Sequence, residues 1–95
     1  MNKKKHKLSG TINDYTLVEV TWFDAVSDNS WLSIDKATAA KPANPHSLGY
    51  KLHHTKDKIT LFTDYIAEDD GTLTVGNITT IPAAWVQDIT EIIFK

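Results

Sequence analysis

Apolar and polar residues alternate along several short stretches of the chain, with the spacing of β-strands that bury one face. In the first stretch, residues 16–23, the side chains of Val18, Val20 and Trp22 share one face. Similar alternation recurs later in the chain, over residues 47–55, 58–67, 73–80 and 88–94. The pattern therefore predicts five strands, and Trp22 is expected to pack in the core.

Turn-forming residues separate the later strands. Lys56-Asp57 predicts one tight turn, and Glu68-Asp69-Asp70-Gly71 is typical of a hairpin turn. Gly76 predicts a bulge or sharp bend within the fourth strand. Because proline has no amide hydrogen for a ladder, Pro82 is expected to stop that strand and begin a single 3₁₀ turn that ends near Trp85.

A helical spacing interrupts the strands over residues 31–41. Trp31 and Ile34 are one helical turn apart, alanines follow, and Pro42 ends the run. A helix this short depends on tertiary contacts for its stability. We therefore expect Trp31 and Ile34 to dock on the sheet as part of the core.

The order of these elements predicts a mostly β domain over residues 15–95. Five short strands, one inserted helix and a 3₁₀ turn before the last strand are typical of a small antiparallel SH3-like or Sm-like barrel. An α+β roll, with the helix packed on a curved sheet, is the alternative. Residues 1–14 lack apolar periodicity and are predicted to form a flexible, lysine-rich arm.

The ten basic residues are all lysine, and the chain has neither arginine nor cysteine. The lack of cysteine excludes disulfides and thiolate metal sites. Four lysines precede residue 9, so residues 9–95 carry six lysines against twelve acidic residues, a net charge of −6. This net negative charge repels nucleic acid. The chain also lacks arginine, the commonest residue in base recognition. Specific DNA binding by the monomer is therefore not expected.

The chain has no stretch of about 18 apolar residues, the minimum for a membrane span. The lysine-rich start is not followed by the apolar segment of a secretory signal. We therefore expect a cytoplasmic protein that does not contact membranes.

Motifs for catalysis or cofactor binding are missing. His53 and His54 are adjacent, so on a strand they point to opposite faces and do not chelate one metal ion together. The acidic residues 68–70 lack the spacing of a calcium loop. The chain also lacks a nucleophile elbow, a Walker loop and a dinucleotide-binding glycine pattern. The expectation is a protein that is not an enzyme, with no metal site and no cofactor.

Aromatic, basic and imidazole side chains predict one binding set. Its members are Tyr50, Lys51, His53, His54 and Trp85. Trp85 follows Pro82 on the predicted tight turn and is the best candidate for a partly exposed aromatic residue. Aromatic rings and lysines on a barrel face can stack bases, so a small nucleotide is a possible ligand where subunits meet.

Two predicted strands carry bulky apolar residues on both faces, which indicates that a second layer covers them. The strands are residues 16–23 and 58–67, and the cover is the helix, another strand layer or a second subunit. The predicted homo-oligomer interface consists of Leu17, Phe23, Phe62 and Ile66.

The chain resembles a group of small proteins encoded by tailed bacteriophages. The resemblance rests on Val20-Thr21-Trp22-Phe23-Asp24, Trp31, Ser47-Leu48-Gly49-Tyr50 and Ile78-Thr79-Thr80-Ile81-Pro82, followed by Trp85 and Ile89. These residues fit a V-x-W-x-D, W, S-x-G-Y/W, I-P skeleton that spans roughly residues 18–92. The resemblance implies a phage origin and the cytoplasm of an infected bacterium, and it implies no activity.

These features together predict a non-enzymatic phage accessory protein that associates with itself and acts on a host protein during infection. An oligomeric Sm-like module that binds nucleotides or RNA is the second hypothesis. A minor virion or assembly component is the third.

Overall fold

The computed structural model of the chain describes residues 11–93, so the lysines before residue 9 and Phe94 lie outside the described residues. Five strands form one sheet, in which every ladder is antiparallel and the order is β4-β3-β2-β1-β5. The elements are a 3₁₀ turn at Ile12–Asp14, β1 at Thr16–Trp22, α1 at Ile34–Thr38, β2 at His46–His54, β3 at Lys58–Ala67, β4 at Leu73–Pro82, a second 3₁₀ turn at Ala83–Trp85 and β5 at Val86–Glu91.

The structure confirms the mostly β class and the five-stranded antiparallel sheet. Within residues 11–93, no ladder joins β4 to β5, so the sheet is open and these two strands are its edges. The alternative roll required a helix packed on the sheet, whereas every residue of α1 is exposed. The roll is therefore wrong.

The main core lies on one face of the sheet, where side chains of β1 pack together with side chains of β3 and β4. Val18 and Val20 of β1 are buried, as the alternation predicts. Directly opposite pairs share a face: Val20 faces Ile89 of β5, and Ile59 of β3 faces Ile81 of β4. The buried cluster consists of Val18, Val20, Ile59, Leu61 and Ile81, with Trp22, Val86 and Ile89 packed against it.

A smaller aromatic cluster covers the other face. Phe62 is 0% exposed. Its ring lies 5.4 Å from the Tyr15 ring, edge-on, and 5.5 Å from the Tyr50 ring, which stacks on it. The prediction that Phe62 belongs to an oligomer interface is therefore wrong, because aromatic rings of its own subunit already bury it.

The fourth strand departs from the predicted bulge. Asp64 pairs with Gly76 and Phe62 pairs with Ile78 in one unbroken register, so Gly76 is not a bulge. The unusual backbone lies one residue later, because Asn77 has a φ of +53°. Asparagine tolerates this left-handed conformation better than most residues, and its amide donates a hydrogen bond to the Asp64 carboxylate.

The bulge that does interrupt the alternation lies in β2, where the register with β3 shifts between Lys51 and His53. Gly49 is buried nearby, and a Cβ added there would lie 3.0 Å from the Phe62 carbonyl oxygen. The close approach of β2 and β3 at this point requires a residue without a side chain.

The predicted helix is shorter than expected and does not dock. It begins after Ser33, whose hydroxyl accepts a hydrogen bond from the Lys36 amide, 3.2 Å away. Trp31 exposes 101% of its reference area and Ile34 exposes 81%, so the prediction that they pack in the core is wrong. The physical reason is that residues of β1, β3 and β4 fill the core.

The last strand begins earlier than predicted. The second 3₁₀ turn ends at Trp85, and β5 follows at once because Val86 pairs with Trp22 of β1. The register between these strands shifts between Thr21 and Trp22. This shift lets the chain enter β5 directly from the turn.

The hairpin between β3 and β4 is closed by Asp70. Its carboxylate accepts hydrogen bonds from the backbone amide of Thr72, at 3.0 Å, and from the hydroxyl of Thr72, at 2.7 Å. These two bonds, the hydroxyl first, lower the pKa of Asp70 below its usual value of 3.8. Gly71 supplies the positive φ of +87° that the turn requires.

Substituting Ile59→Ala should lower the free energy of unfolding by about 2–4 kcal/mol, because it removes a fully buried side chain and leaves a cavity. Ile34→Ala is the matched control and should change stability by less than about 0.5 kcal/mol, since Ile34 is exposed. Urea unfolding followed by circular dichroism measures both. An equal loss for the two variants would contradict this assignment of the core.

Asp70→Asn should lower stability at neutral pH and have little effect in acid. The folded-state pKa of Asp70 lies below the unfolded value, so its carboxylate stabilises the fold above that unfolded value. This contribution is lost as the pH falls through the folded-state pKa. Denaturation midpoints of the two proteins, compared across a pH series, should converge in acid; a constant difference would refute this role of the carboxylate.

Candidate protein-binding surface

The connection between β1 and β2, residues 23–45, is the longest in the described part of the chain, and we call it the β1–β2 arm. Backbone hydrogen bonds hold its two ends together. The Trp22 amide donates to the Pro45 carbonyl at 3.1 Å, and Asp24 and Ala43 exchange two bonds of 2.9 Å. The root of the β1–β2 arm is therefore fixed on the sheet.

Two stacked tryptophans lie beneath this root. The rings of Trp22 and Trp85 are 6.3 Å apart and inclined by 13°. The Trp22 indole donates a hydrogen bond to the Ser47 hydroxyl at 2.9 Å, and the Phe23 amide donates to the Trp85 carbonyl at 2.9 Å. Trp85 remains 42% exposed, which confirms the prediction that it is a partly exposed aromatic residue.

Beyond the root, the β1–β2 arm presents apolar side chains to solvent. Its exposed large apolar residues are Phe23, Val26, Trp31, Leu32 and Ile34. Single exposed apolar residues are ordinary, whereas large contiguous apolar patches commonly mark interaction sites. Sequence reasoning missed this surface, although turn-forming residues on both sides of the short helix, Asp28-Asn29-Ser30 and Pro42-Ala43-Asn44-Pro45, indicated a segment separate from the sheet.

The predicted binding set is not brought together within one subunit. Tyr50 lies opposite Phe62 and Lys51 lies opposite Leu61, so consecutive residues of β2 face opposite sides of the sheet. His53 and His54 are exposed beyond the bulge. Trp85 stacks on Trp22 near Ser47, at the other end of β2, so no common pocket forms among these side chains.

The predicted interface residues are also dispersed. Leu17 is half-buried in β1, Phe23 is exposed at the root of the β1–β2 arm, and Ile66 is exposed near the far end of β3. Phe62 is buried beneath aromatic rings, as described above. These four side chains do not form one surface.

One groove does combine a residue from each predicted set. It lies between the first 3₁₀ turn and the ends of β1 and β5, has a volume of about 430 Å³, and includes Tyr15, Leu17, Tyr50 and Ile92 in its lining. Burial raises the pKa of the Tyr15 phenol, and the Asp14 carboxylate raises it further. The phenol therefore stays protonated at neutral pH.

Comparison of the chain with protein-family models, curated proteins and solved structures finds no match. Among the residues that the structure describes, no helix is long and apolar enough to cross a membrane. The same residues contain no group of three or more histidines and carboxylates that could hold a metal ion. The candidate surface consists of the exposed apolar side chains of the β1–β2 arm, whose root is hydrogen-bonded to the sheet.

Trp31 should be the tryptophan most accessible to a soluble quencher, because the other two stack on each other. Replacing it in Trp31→Phe should remove the most strongly quenched part of the fluorescence. Iodide quenching of the wild type and of this variant measures the difference. If the two quenching curves coincide, the indole of Trp31 is covered in solution.

Proposed function

We propose that the protein is a non-catalytic binding module that docks its β1–β2 arm on a partner protein. The observation that carries this proposal is the full exposure of Trp31 on an arm whose root is hydrogen-bonded to the sheet. Tryptophans that become buried when two proteins bind are frequent anchors of the interface. A fixed root also reduces the conformational entropy that such an arm loses when it docks.

The partner in this proposal offers an apolar pocket with a basic rim. The apolar side chains of the β1–β2 arm fill the pocket, and its acidic residues complement the rim. The arm carries three acidic residues, Asp24, Asp28 and Asp35, against two lysines. The Asp28 carboxylate accepts hydrogen bonds from the Ser30 hydroxyl and amide, and these lower its pKa. Asp28 is therefore ionised at neutral pH, and the net negative charge of residues 9–95 adds to the attraction between the protein and a basic rim.

The helix of the β1–β2 arm suits this mode of recognition. Helix α1 is only five residues long and has no buried residue, so its own contacts stabilise it weakly. Docking in a groove would bury its apolar face, as amphipathic helices do in many peptide-binding grooves. Trp31 and Ile34 are the anchors in this proposal.

The sheet is, in this proposal, a partly open SH3-like or Sm-like barrel. Its support is the order of strands, in which β5 returns to pair with β1 after a 3₁₀ turn, and the close approach of β2 and β3 at Gly49. The resemblance to phage proteins supports a host protein as the partner, in the cytoplasm of an infected bacterium.

Nucleotide binding within one subunit has less support. The side chains of Tyr50 and Lys51 lie on opposite faces of the sheet, and the acidic residues outnumber the lysines. We therefore propose protein binding alone.

Immobilised protein should capture a specific bacterial protein from a nuclease-treated extract, and the double variant Trp31→Ala/Ile34→Ala should lose it. Both side chains are exposed, so the variant should retain the melting temperature of the wild type. Ile93→Ala is the control, because Ile93 is an exposed apolar residue outside the β1–β2 arm. Equal capture by the arm variant and the control would refute the proposal.

A further inference from the structure

Strand β4 is an edge of the sheet that carries no charged side chain. It is ten residues long, from Leu73 to Pro82. Each of the other four strands contains at least one ionisable residue, and the opposite edge, β5, carries Asp88 and Glu91. Proteins commonly protect an edge strand with charges, because its unpaired backbone groups can pair with another strand. The two edges therefore differ: β5 is protected and β4 is open to pairing.

The edge of β4 is continuous and accessible. Its register with β3 is the same on both sides of Asn77, so the positive φ there does not divide the strand. Its residues 77–80 are exposed. Ile78, which is 48% exposed, ends a row of opposite side chains that crosses the sheet through Leu17, Tyr50 and Phe62. A strand added here would extend this row.

We propose that β4 pairs with β4 of a second copy of the chain, antiparallel, about a two-fold axis perpendicular to the sheet. The result is one continuous sheet of ten strands with two β5 edges. The distribution of charge selects this edge for pairing between two copies of the chain. Residues 9–95 carry a net charge of −6, so two copies repel each other wherever carboxylates face carboxylates. Strand β4 is the edge strand of the described sheet without a carboxylate of its own, and the carboxylates nearest to it, Asp64 and Glu68, each accept a hydrogen bond from a β4 side chain.

The charges at the two ends of β4 favour the antiparallel direction. The turn before β4 contains three acidic residues at positions 68–70. The other end of β4 lies beside Lys58, which pairs with Pro82, and there Lys56 and Lys58 outnumber Asp57. Full antiparallel overlap brings the acidic turn of each copy towards the lysines of the other, about 10 Å or two strand spacings away. Parallel overlap would place the two acidic turns side by side. Opposite charges thus meet twice in the two-fold pair.

This interface is separate from the β1–β2 arm of the proposed function. The β1–β2 arm joins strands that are two and three places from β4 in the order of the sheet, and its anchors, Trp31 and Ile34, lie outside β4. The variant Trp31→Ala/Ile34→Ala should therefore dimerise like the wild type. Failure of arm docking and failure of β4 pairing are distinguishable.

Sedimentation equilibrium should show a monomer–dimer equilibrium for the wild type. Thr79→Lys places a charge on the β4 edge and should weaken the dimer about tenfold or more, because the dimer would place two added lysines within the paired strands and charged side chains on an edge strand oppose pairing. Gln87→Lys makes the same change on the β5 edge and should leave the dimer unchanged. A monomer at every soluble concentration of the wild type, or equal weakening by the two variants, would overturn the proposal.

Charge reversal tests the antiparallel direction. Lys58→Glu and Asp69→Lys should each weaken the homodimer, since each creates like charges at both ends. An equimolar mixture of the two variants should restore dimers. In the mixed dimer, one end brings together the two substituted residues, which have opposite charges, and the other end brings together the unchanged Lys58 and Asp69. Restoration of dimers in the mixture would support the proposal. Failure of the mixture to dimerise more tightly than either variant alone would overturn it, as would a homodimer of Lys58→Glu as tight as the wild type.

Discussion

The fold depends on the packing of Val18 and Val20 against Ile59 and Ile81. These residues come from strands that are distant in sequence, and β1 occupies the position in the sheet that links β5 to β2. Burial of apolar side chains is the main favourable contribution to folding. The cluster is small, so few apolar side chains find a place in it, and the others are covered locally or left exposed.

Aromatic residues pack at two places outside the main core, on the second face of the sheet and at the end of β1. Tyr15 and Tyr50 enclose Phe62 on the second face, and Trp22 stacks with Trp85 at the end of β1. The second pair lies where the β1–β2 arm leaves the sheet, so packing that stabilises the fold also fixes the root of the proposed docking segment. Structure and recognition are thus connected at Trp22.

Charge divides the surface into regions with different roles. The net charge of −6 over residues 9–95 adds electrostatic repulsion to a contact with a polyanion or with a further copy of the chain, and attraction to a contact with a basic surface. Against this background, the apolar β1–β2 arm and the uncharged β4 edge stand out as surfaces that can be buried. In our proposals, the arm makes side-chain contacts with a different protein, and the edge pairs its backbone with that of a second copy.

The sequence by itself determined the strands, the hairpin turn at Gly71 and the 3₁₀ turn that ends at Trp85, because alternation, turn residues and proline act over a few neighbouring positions. It also determined that Val18 and Val20 share the buried face. Only the tertiary structure decided that Phe62 is enclosed by two tyrosines while Trp31 and Ile34 remain in solvent. Local spacing shows that a side chain is apolar and which neighbours share its face. Whether that face is covered depends on the space left by strands distant in sequence, and here the core was filled without the helix.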